Sequence, residues 1–409
     1  MPAITEKLRR FLPGSAVTHT SPTYLPPPGP PPDHTTKQRH APPPGPPPGF
    51  PKLIEFPYLH AEQIPTLYRQ GFARVHLPPD HPLLAAATAL FSSSHAFFDQ
   101  TPDEKQKFHR SQLASEPSAD GPKGKGPDSE QGWSRVEGEK EMLTIRRTNK
   151  LCPPSVTENA QNLWRECGSF MQDMIRAVEV SLELKSGTFD NVVKEECVLP
   201  VDEIHETLVR MFRYERALEP RIVSAKHRDI GLMSLVIGSS PGLEVWDNTI
   251  VRKDPITGVE NMGNWVEIEQ NGNETKTNGG LTVTFLVGET LTALTNGIYK
   301  PGIHRVSVPP ADPSSAVDDS KYRYSLVFAL RPYRNATIFT PSLTTAITGE
   351  FIWPRQDGHV VKTVKAVELF NQIANMHWSV NDQVEEREAK RIRLEKEREA
   401  IALRTLMQS

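Results

Sequence analysis

The spacing of apolar residues changes period along the chain. At Leu83, Leu84, Ala87, Leu90, Phe91, Ser94, Phe97 and Phe98 it predicts a helix that ends before TPDEK. A longer amphipathic helix is predicted where Leu163, Cys167, Phe170, Met171, Met174, Ile175, Val178 and Leu182 share one face. Both stripes read as core packing. Between them, a Gly/Pro/Lys/Ser-rich loop at roughly 115–130 precedes GWSRVEGEKEMLTIRR, which reads as a turn and a strand. LIEFPYLH followed by GFARVHL reads as an edge hairpin or a strand–helix–strand unit that opens the folded region near Lys52. From about 205 to 335 the texture becomes short runs broken by Gly, Asn and Pro: LVRMFRY, LMSLVI, LEVWD, WVEIE, LTVTFLV and YRYSLVFAL. Such runs predict a β sandwich or a closed double sheet. The expected fold class is mainly β with flanking helices (α+β).

The two ends differ from this middle. PPPGPPP occurs at Pro26–Pro32 and again at Pro42–Pro48, in a stretch without periodicity. Residues 1–50 are expected to be a disordered tail with polyproline II character, a solvated spacer or a ligand for a proline-binding module. The final stretch, QVEEREAKRIRLEKEREAIALRTL, keeps no heptad register at Val384, Ile392, Leu394, Ile401 and Leu403, which predicts a solvated single helix. The expected divisions are therefore a tail (1–50), a helical and edge-strand region (51–200), a β-rich core (201–350) and a C-terminal helical extension (351–409).

Composition narrows the function classes. Hydrophobic residues make up 37% and charged residues 24%, a globular balance diluted by 38 prolines. A net charge of −3 gives no basic field, so neither nucleic acid nor a membrane surface is an expected partner. No apolar run approaches the length of a membrane span, and MPAITEKLRRFLPG lacks the hydrophobic stretch of a secretory signal. Cys152, Cys167 and Cys197 show no CxxC spacing, so neither a disulfide framework nor a zinc site is expected. The expectation is a reducing, cytoplasmic compartment, where a ferrous ion stays available.

The candidate chemistry lies in the β-rich part. KHRDIGLMSLVI contains His227 and Asp229, which on a strand would face the same way, with Arg228 pointing away. With 13 histidines in the chain, an HxD pair alone is a weak signal, equally read as a surface hydrogen-bonded pair. GIYKPGIHRVSV adds His304 on another predicted strand. Two histidines and a carboxylate on a β scaffold can bind ferrous iron and leave positions open, although such ligands also suit zinc. In KYRYSLVFALRP, Arg323 and Ser325 share a face, with Tyr322, Tyr324, Leu326 and Phe328 on the other. A guanidinium beside a hydroxyl suits a carboxylate.

Taken together, HRDIGLMSLVI, GLEVW, GETLTALTNGIYKPGIHRV and YRYSLVFALRP resemble the core of the isopenicillin N synthase-like 2-oxoglutarate/Fe(II) oxygenases, and AFFDQTPDEKQKF is similar to their N-terminal region. The resemblance covers about residues 52–340. It implies a double-stranded β-helix (jelly roll) core with flanking helices, Fe(II) held by His227, Asp229 and His304, and 2-oxoglutarate as co-substrate with ascorbate as an accessory reductant. It also implies that Arg323 and Ser325 take the distal carboxylate of 2-oxoglutarate, with Tyr214 contacting the co-substrate. The implied partners are O2 and a small-molecule substrate, which is hydroxylated or desaturated. Two departures stand out: the insertion PPADPSSAVDDS between His304 and Arg323, and a second, QNGNETKTNGG. Arg146 or Arg147 is expected to pair with an anionic group of the substrate, a surface arginine being the plainer reading. An oxidase of the same fold that does without 2-oxoglutarate, and a non-catalytic interaction protein, stay open as alternatives.

Overall fold

The computed structural model describes residues 49–113, 130–193, 197–203, 205–253, 260–269, 280–310, 321–351, 362–377, 381–394 and 396. The proline-rich tail to residue 48, the loop at 114–129, the greater part of both insertions and the end of the charged C-terminal stretch lie outside the described residues.

Both predicted helices form. α1 (Ile64–Gln70) leads into β1 (Phe72–Leu77), and LIEFPYLH before it carries no strand. Pro57 within that run has no N–H to give a ladder, which disfavours the expected hairpin. α2 (Pro82–Phe98) ends where Thr101 opens α3 (Pro102–Gln106) through a reciprocal capping box with Glu104. GWSRVEGEKEMLTI is a hairpin, β2 (Gly132–Val136) and β3 (Lys140–Ile145), rather than one strand. α4 (Pro154–Ser181) follows.

The remaining strands are β4 (Leu208–Glu215), β5 (Arg221–His227), β6 (Met233–Gly238), β7 (Leu243–Lys253), β8 (Glu260–Glu267), β9 (Leu281–Val287), β10 (His304–Val308) and β11 (Tyr322–Leu330). They assemble into a seven-stranded sheet, ordered β1-β9-β6-β11-β4-β3-β2, and a four-stranded sheet, ordered β5-β10-β7-β8, with antiparallel pairing throughout. A small pair, β12 (Thr337–Phe339) and β13 (Thr363–Lys365), lies apart from both.

The period-two pattern of β11 shows how the layers stack. Tyr324, Leu326, Phe328 and Leu330 join the main hydrophobic core with Leu90, Phe97 and Phe98 of α2 and with Trp164, Phe170 and Met171 of α4. Trp164 meets Phe328 edge-on at 5.3 Å between ring centroids. Burial of each such side chain is worth about 1.5–3 kcal/mol, so this layer fixes the sheet to the helices. The opposite face turns toward the small sheet, where Phe212, Val236, Leu243 and Val306 form a second apolar cluster. Beyond that cluster the space between the sheets is a cavity of about 420 Å³.

Two C-terminal segments close over the cavity. α5 (Glu289–Leu294) lies within the β region, whereas α6 (Ala366–Ala374) and α7 (384–394) come from the extension. α7 is not solvated on every side, as its charge pattern had predicted. Arg387 is buried and pairs with Glu139 at 2.6 Å, Leu394 is buried, and Asn381 just before the helix accepts a hydrogen bond from Ser134 on β2. Among the described residues, no helix is long and apolar enough to cross a membrane.

Candidate metal centre and co-substrate pocket

His227 is the last residue of β5 and His304 the first of β10, and the two face each other as paired positions in the small sheet. Asp229 does not reach the same point by strand alternation, because the chain leaves β5 at His227 and Asp229 lies in the connection to β6. α5 fixes that connection instead. Backbone N–H groups of Glu289 and Thr290, in the first turn of α5, donate to the carbonyls of Asp229 (2.8 Å), Ile230 (3.2 Å) and Gly231 (3.1 Å). The unsatisfied donors of a helix start thus hold the acidic loop in place.

The three side chains converge. Nε2 of His227 lies 3.8 Å and Nε2 of His304 3.7 Å from the same Oδ1 of Asp229, and their ligand atoms all fall within 4.8 Å of one another. The Nδ1 of His227 donates to the carbonyl of Ala225 (2.8 Å) and that of His304 to the carbonyl of Gly302 (3.1 Å). Each bond places the proton on Nδ1 and leaves the Nε2 lone pair directed at the cluster, which is how a metal-binding imidazole is oriented. Burial, reinforced by His304, pushes His227 down to about 3, so the ring stays neutral. Burial alone would raise the Asp229 carboxyl, but His304, His227 and nearby polar groups outweigh it and hold the group below its usual range. Arg228 turns to Glu289 at 3.4 Å.

The large sheet supplies the other wall in ordered rows. β3, β4 and β11 pair so that Lys140, Tyr214 and Arg323 stand side by side, followed by Met142, Phe212 and Ser325, then Thr144, Arg210 and Val327. Lys140 is fully buried and burial lowers it to about 8. Tyr214 is buried under the Arg323 guanidinium, 5.5 Å from its ring centroid, and burial raises its phenol.

Arg323 is fully buried, and it has protein partners the sequence did not announce. Its Nε donates to the carbonyl of Ser240 (3.0 Å), and its Nη2 donates to both carboxylate oxygens of Glu269 (2.9 and 2.6 Å). Gly238 and Gly242 leave the room it needs, since a Cβ on either would come within 2.7 and 2.6 Å of the guanidinium. Nη1 is buried and has no hydrogen-bond partner among the described residues. An orphaned buried donor is costly, and a carboxylate bound there would satisfy it. Ser325, two residues on, shares the face and lines the cavity. The donor set thus fits one arm of a carboxylate, with the other half of the fork already taken by Glu269.

Arg146 and Arg147 part company. Arg147 donates to the carbonyl of Asp202 and does not line the cavity. Arg146 does line it, but is tied to Glu206 (2.7 Å) and to the carbonyl of His205 (2.6 Å). Glu130, Glu206, Arg210, Glu269 and Arg331 were not legible as site residues. Arg210 shares its parity with Tyr214 on β4, a signal that could have found it, whereas nothing local marks Glu269.

Two antiparallel sheets enclosing a cavity, a helical layer on one outer face, and two imidazoles with a carboxylate at the cavity wall define a mainly β protein with a candidate metal centre. The chain shares its fold with structures of 2-oxoglutarate/Fe(II) oxygenases. A Caulobacter crescentus protein described as a 2OG-Fe(II) oxygenase family protein matches with a TM-score of 0.51 at 20% identity, over 75% of this chain and 90% of that one. JOX2, solved in complex with 2OG, Fe and JA, matches with a TM-score of 0.50 at 18% identity, over 76% and 79%. The rice dioxygenase for auxin oxidation gives a TM-score of 0.48 at 17% identity, over 75% and 86%. No protein-family profile and no curated protein sequence matches the chain.

Proposed function

We propose that this chain is an Fe(II)- and 2-oxoglutarate-dependent dioxygenase of the isopenicillin N synthase-like family that oxidises a small organic molecule on a jelly-roll core. The observation that carries the reading is the convergence of His227 and His304 Nε2 on one Asp229 oxygen, at 3.8 and 3.7 Å, with both Nδ1 atoms committed to backbone carbonyls. That set matches a facial triad in number, chemistry and orientation. When bound there, Fe(II) with 2-oxoglutarate supplies oxidative decarboxylation, in which O2 delivers one oxygen atom to succinate and one to the substrate while CO2 leaves. His227, Asp229 and His304 hold the metal, and the carbonyls of Ala225 and Gly302 keep the imidazoles in the required tautomer. Arg323 Nη1 and Ser325 take the distal carboxylate of 2-oxoglutarate, with Tyr214 packed beneath the guanidinium. The apolar cluster around Phe212, Val236 and Val306 limits water between the sheets. The core of this enzyme is residues 201–350, supported by 51–200, with α6 and α7 of the 351–409 extension over the cavity.

A second reading draws on Glu269. With a carboxylate of its own on Arg323, the chain is suited to an oxidase of the same fold that uses no 2-oxoglutarate. One assay separates the two. Protein loaded with Fe(II) is expected to form succinate from 2-oxoglutarate and to lose that activity, together with Fe(II) uptake by calorimetry, in His304→Ala. Iron uptake without succinate in the presence of candidate substrates favours the second reading, and absence of iron uptake removes both.

A further inference from the structure

At the end of β11 remote from Arg323, the cavity wall carries a cluster that the proposed chemistry leaves unused. Arg331, just past the end of β11, lies eight positions beyond Arg323, roughly 26 Å of extended chain. Arg331 Nη1 donates to Glu130 at 2.8 Å, and Arg210 reaches the same carboxylate at 3.4 Å while its Nε donates to Thr144 (2.7 Å). Arg146 and Arg334 approach Glu206 at 2.7 and 3.6 Å. Among the described residues, this cluster sets four guanidiniums around the carboxylates of Glu130 and Glu206, with Asp229 as a third acidic group acting on it, a surplus of one positive charge.

Buried cations in excess of their counter-charges are unfavourable unless an anion joins them. The side-chain donors are also incompletely used. Nη2 of Arg331 and Nη1 of Arg210 make no hydrogen bond to a described residue, although both side chains are more than nine-tenths buried and line the cavity. The cluster stands beside the triad, because a Cβ on Gly231, two residues after Asp229, would lie 3.2 Å from Cγ of Arg331. Both guanidiniums act electrostatically with Asp229. Phe370 of α6 covers Arg331 at 5.5 Å from its ring centroid, so the site has an aromatic ceiling as well as a cationic floor.

We propose that Arg210 and Arg331 dock an anionic group of the substrate, a carboxylate or a phosphate on an otherwise organic molecule that is partly apolar. That the docked molecule is a substrate rests on the oxygenase reading; that the cluster binds an organic anion does not. The two open guanidinium arms offer a forked pair of donors, which suits either oxyanion. Anchored there, the molecule lies against the wall beside Asp229, at the opposite end of β11 from the position assigned to the co-substrate carboxylate. Arg146, the arginine first expected in this role, becomes a positioning residue that anchors Glu206.

The test uses 1-naphthoate, its neutral counterpart 1-naphthamide, and 1-naphthyl phosphate as probes in calorimetric titrations of the full chain. The triad is first loaded with Zn(II) and the co-substrate position with N-oxalylglycine, each titration recorded separately. Naphthoate or naphthyl phosphate is expected to bind one-to-one, at least about tenfold more tightly than naphthamide, a difference of about 1.4 kcal/mol. The tighter of the two anions identifies the docked group. Arg210→Gln and Arg331→Gln are each expected to weaken anion binding at least about tenfold, and Lys107→Gln, away from the cavity, to leave it unchanged. No anion binding, equal binding of naphthamide, or wild-type affinity in both glutamine variants overturns the proposal. The wild-type comparison of charged and neutral probes decides the matter even if a variant does not fold. Failure of Zn(II) or N-oxalylglycine to bind counts against the oxygenase reading alone, since anion binding is then measured on the unloaded protein.

Discussion

The two faces of β11 belong to one nine-residue strand and follow opposite rules. Tyr324, Leu326, Phe328 and Leu330 pack on α2 and α4 in a layer built from apolar contact. Arg323, Ser325, Val327 and Ala329 face the cavity, where burial is nearly as complete but the ladder continues into charged partners. The difference shows that burial is not the property that separates scaffold from site. On the helix side each residue is stabilised by any neighbour of suitable volume. On the cavity side the polar residues require particular partners, and among the described residues Arg323 Nη1 has none.

Three perturbations sharpen that contrast. Phe328→Ala, which empties the contact with Trp164, is expected to cost about 3–5 kcal/mol in chemical denaturation while leaving metal uptake by the folded fraction intact. A loss of Zn(II) affinity in parallel with stability would mean that the two faces are not independent. On the other face, Arg323→Met strands the Glu269 carboxylate and is expected to cost about 3 kcal/mol. The double variant Arg323→Met/Glu269→Leu should recover the greater part of that stability without recovering 2-oxoglutarate binding. A double variant as unstable as the single one would show that Arg323 stabilises by packing alone.

The smallest effect concerns Glu130. Burial would raise its carboxyl, but Arg331, Arg210 and Arg146 hold it down to about 2, against an ordinary value of 4.5. Its contribution to stability is therefore fully present above about pH 5 and fades as pH falls toward 2. A quarter of the side chain remains exposed (26%), so the effect is about 1–2 kcal/mol. Melting curves of wild type and Glu130→Gln should differ at pH 6, draw closer below pH 4 and converge only as the pH reaches about 2. A difference that is constant with pH would place the origin of the effect outside ionisation of this carboxylate.

Much of the scaffold was legible because it is written in short-range patterns. Eight helical positions from Leu83 to Phe98 share a face, and the runs in β4, β6, β9 and β11 are short strings separated by turn residues. The site was legible in part, since His227, His304, Arg323 and Ser325 occur in recognisable strings. Asp229 does lie beside His227, but not by the strand alternation that the sequence suggested. It is the first turn of α5, rather than strand alternation, that holds it.

The sequence by itself determined the two helices, the strand texture and the residue types available for the triad, because periodicity and side-chain chemistry are properties of contiguous residues. Only the tertiary structure decided that Glu269 takes half of the Arg323 fork, that Glu130 gathers Arg210 and Arg331, and that Arg387 brings the C-terminal helix onto Glu139. Each of these is a pairing between charges far apart in the chain. A charged residue has the same local appearance whether it meets water or a distant counter-ion, and the folded sheets alone choose between them.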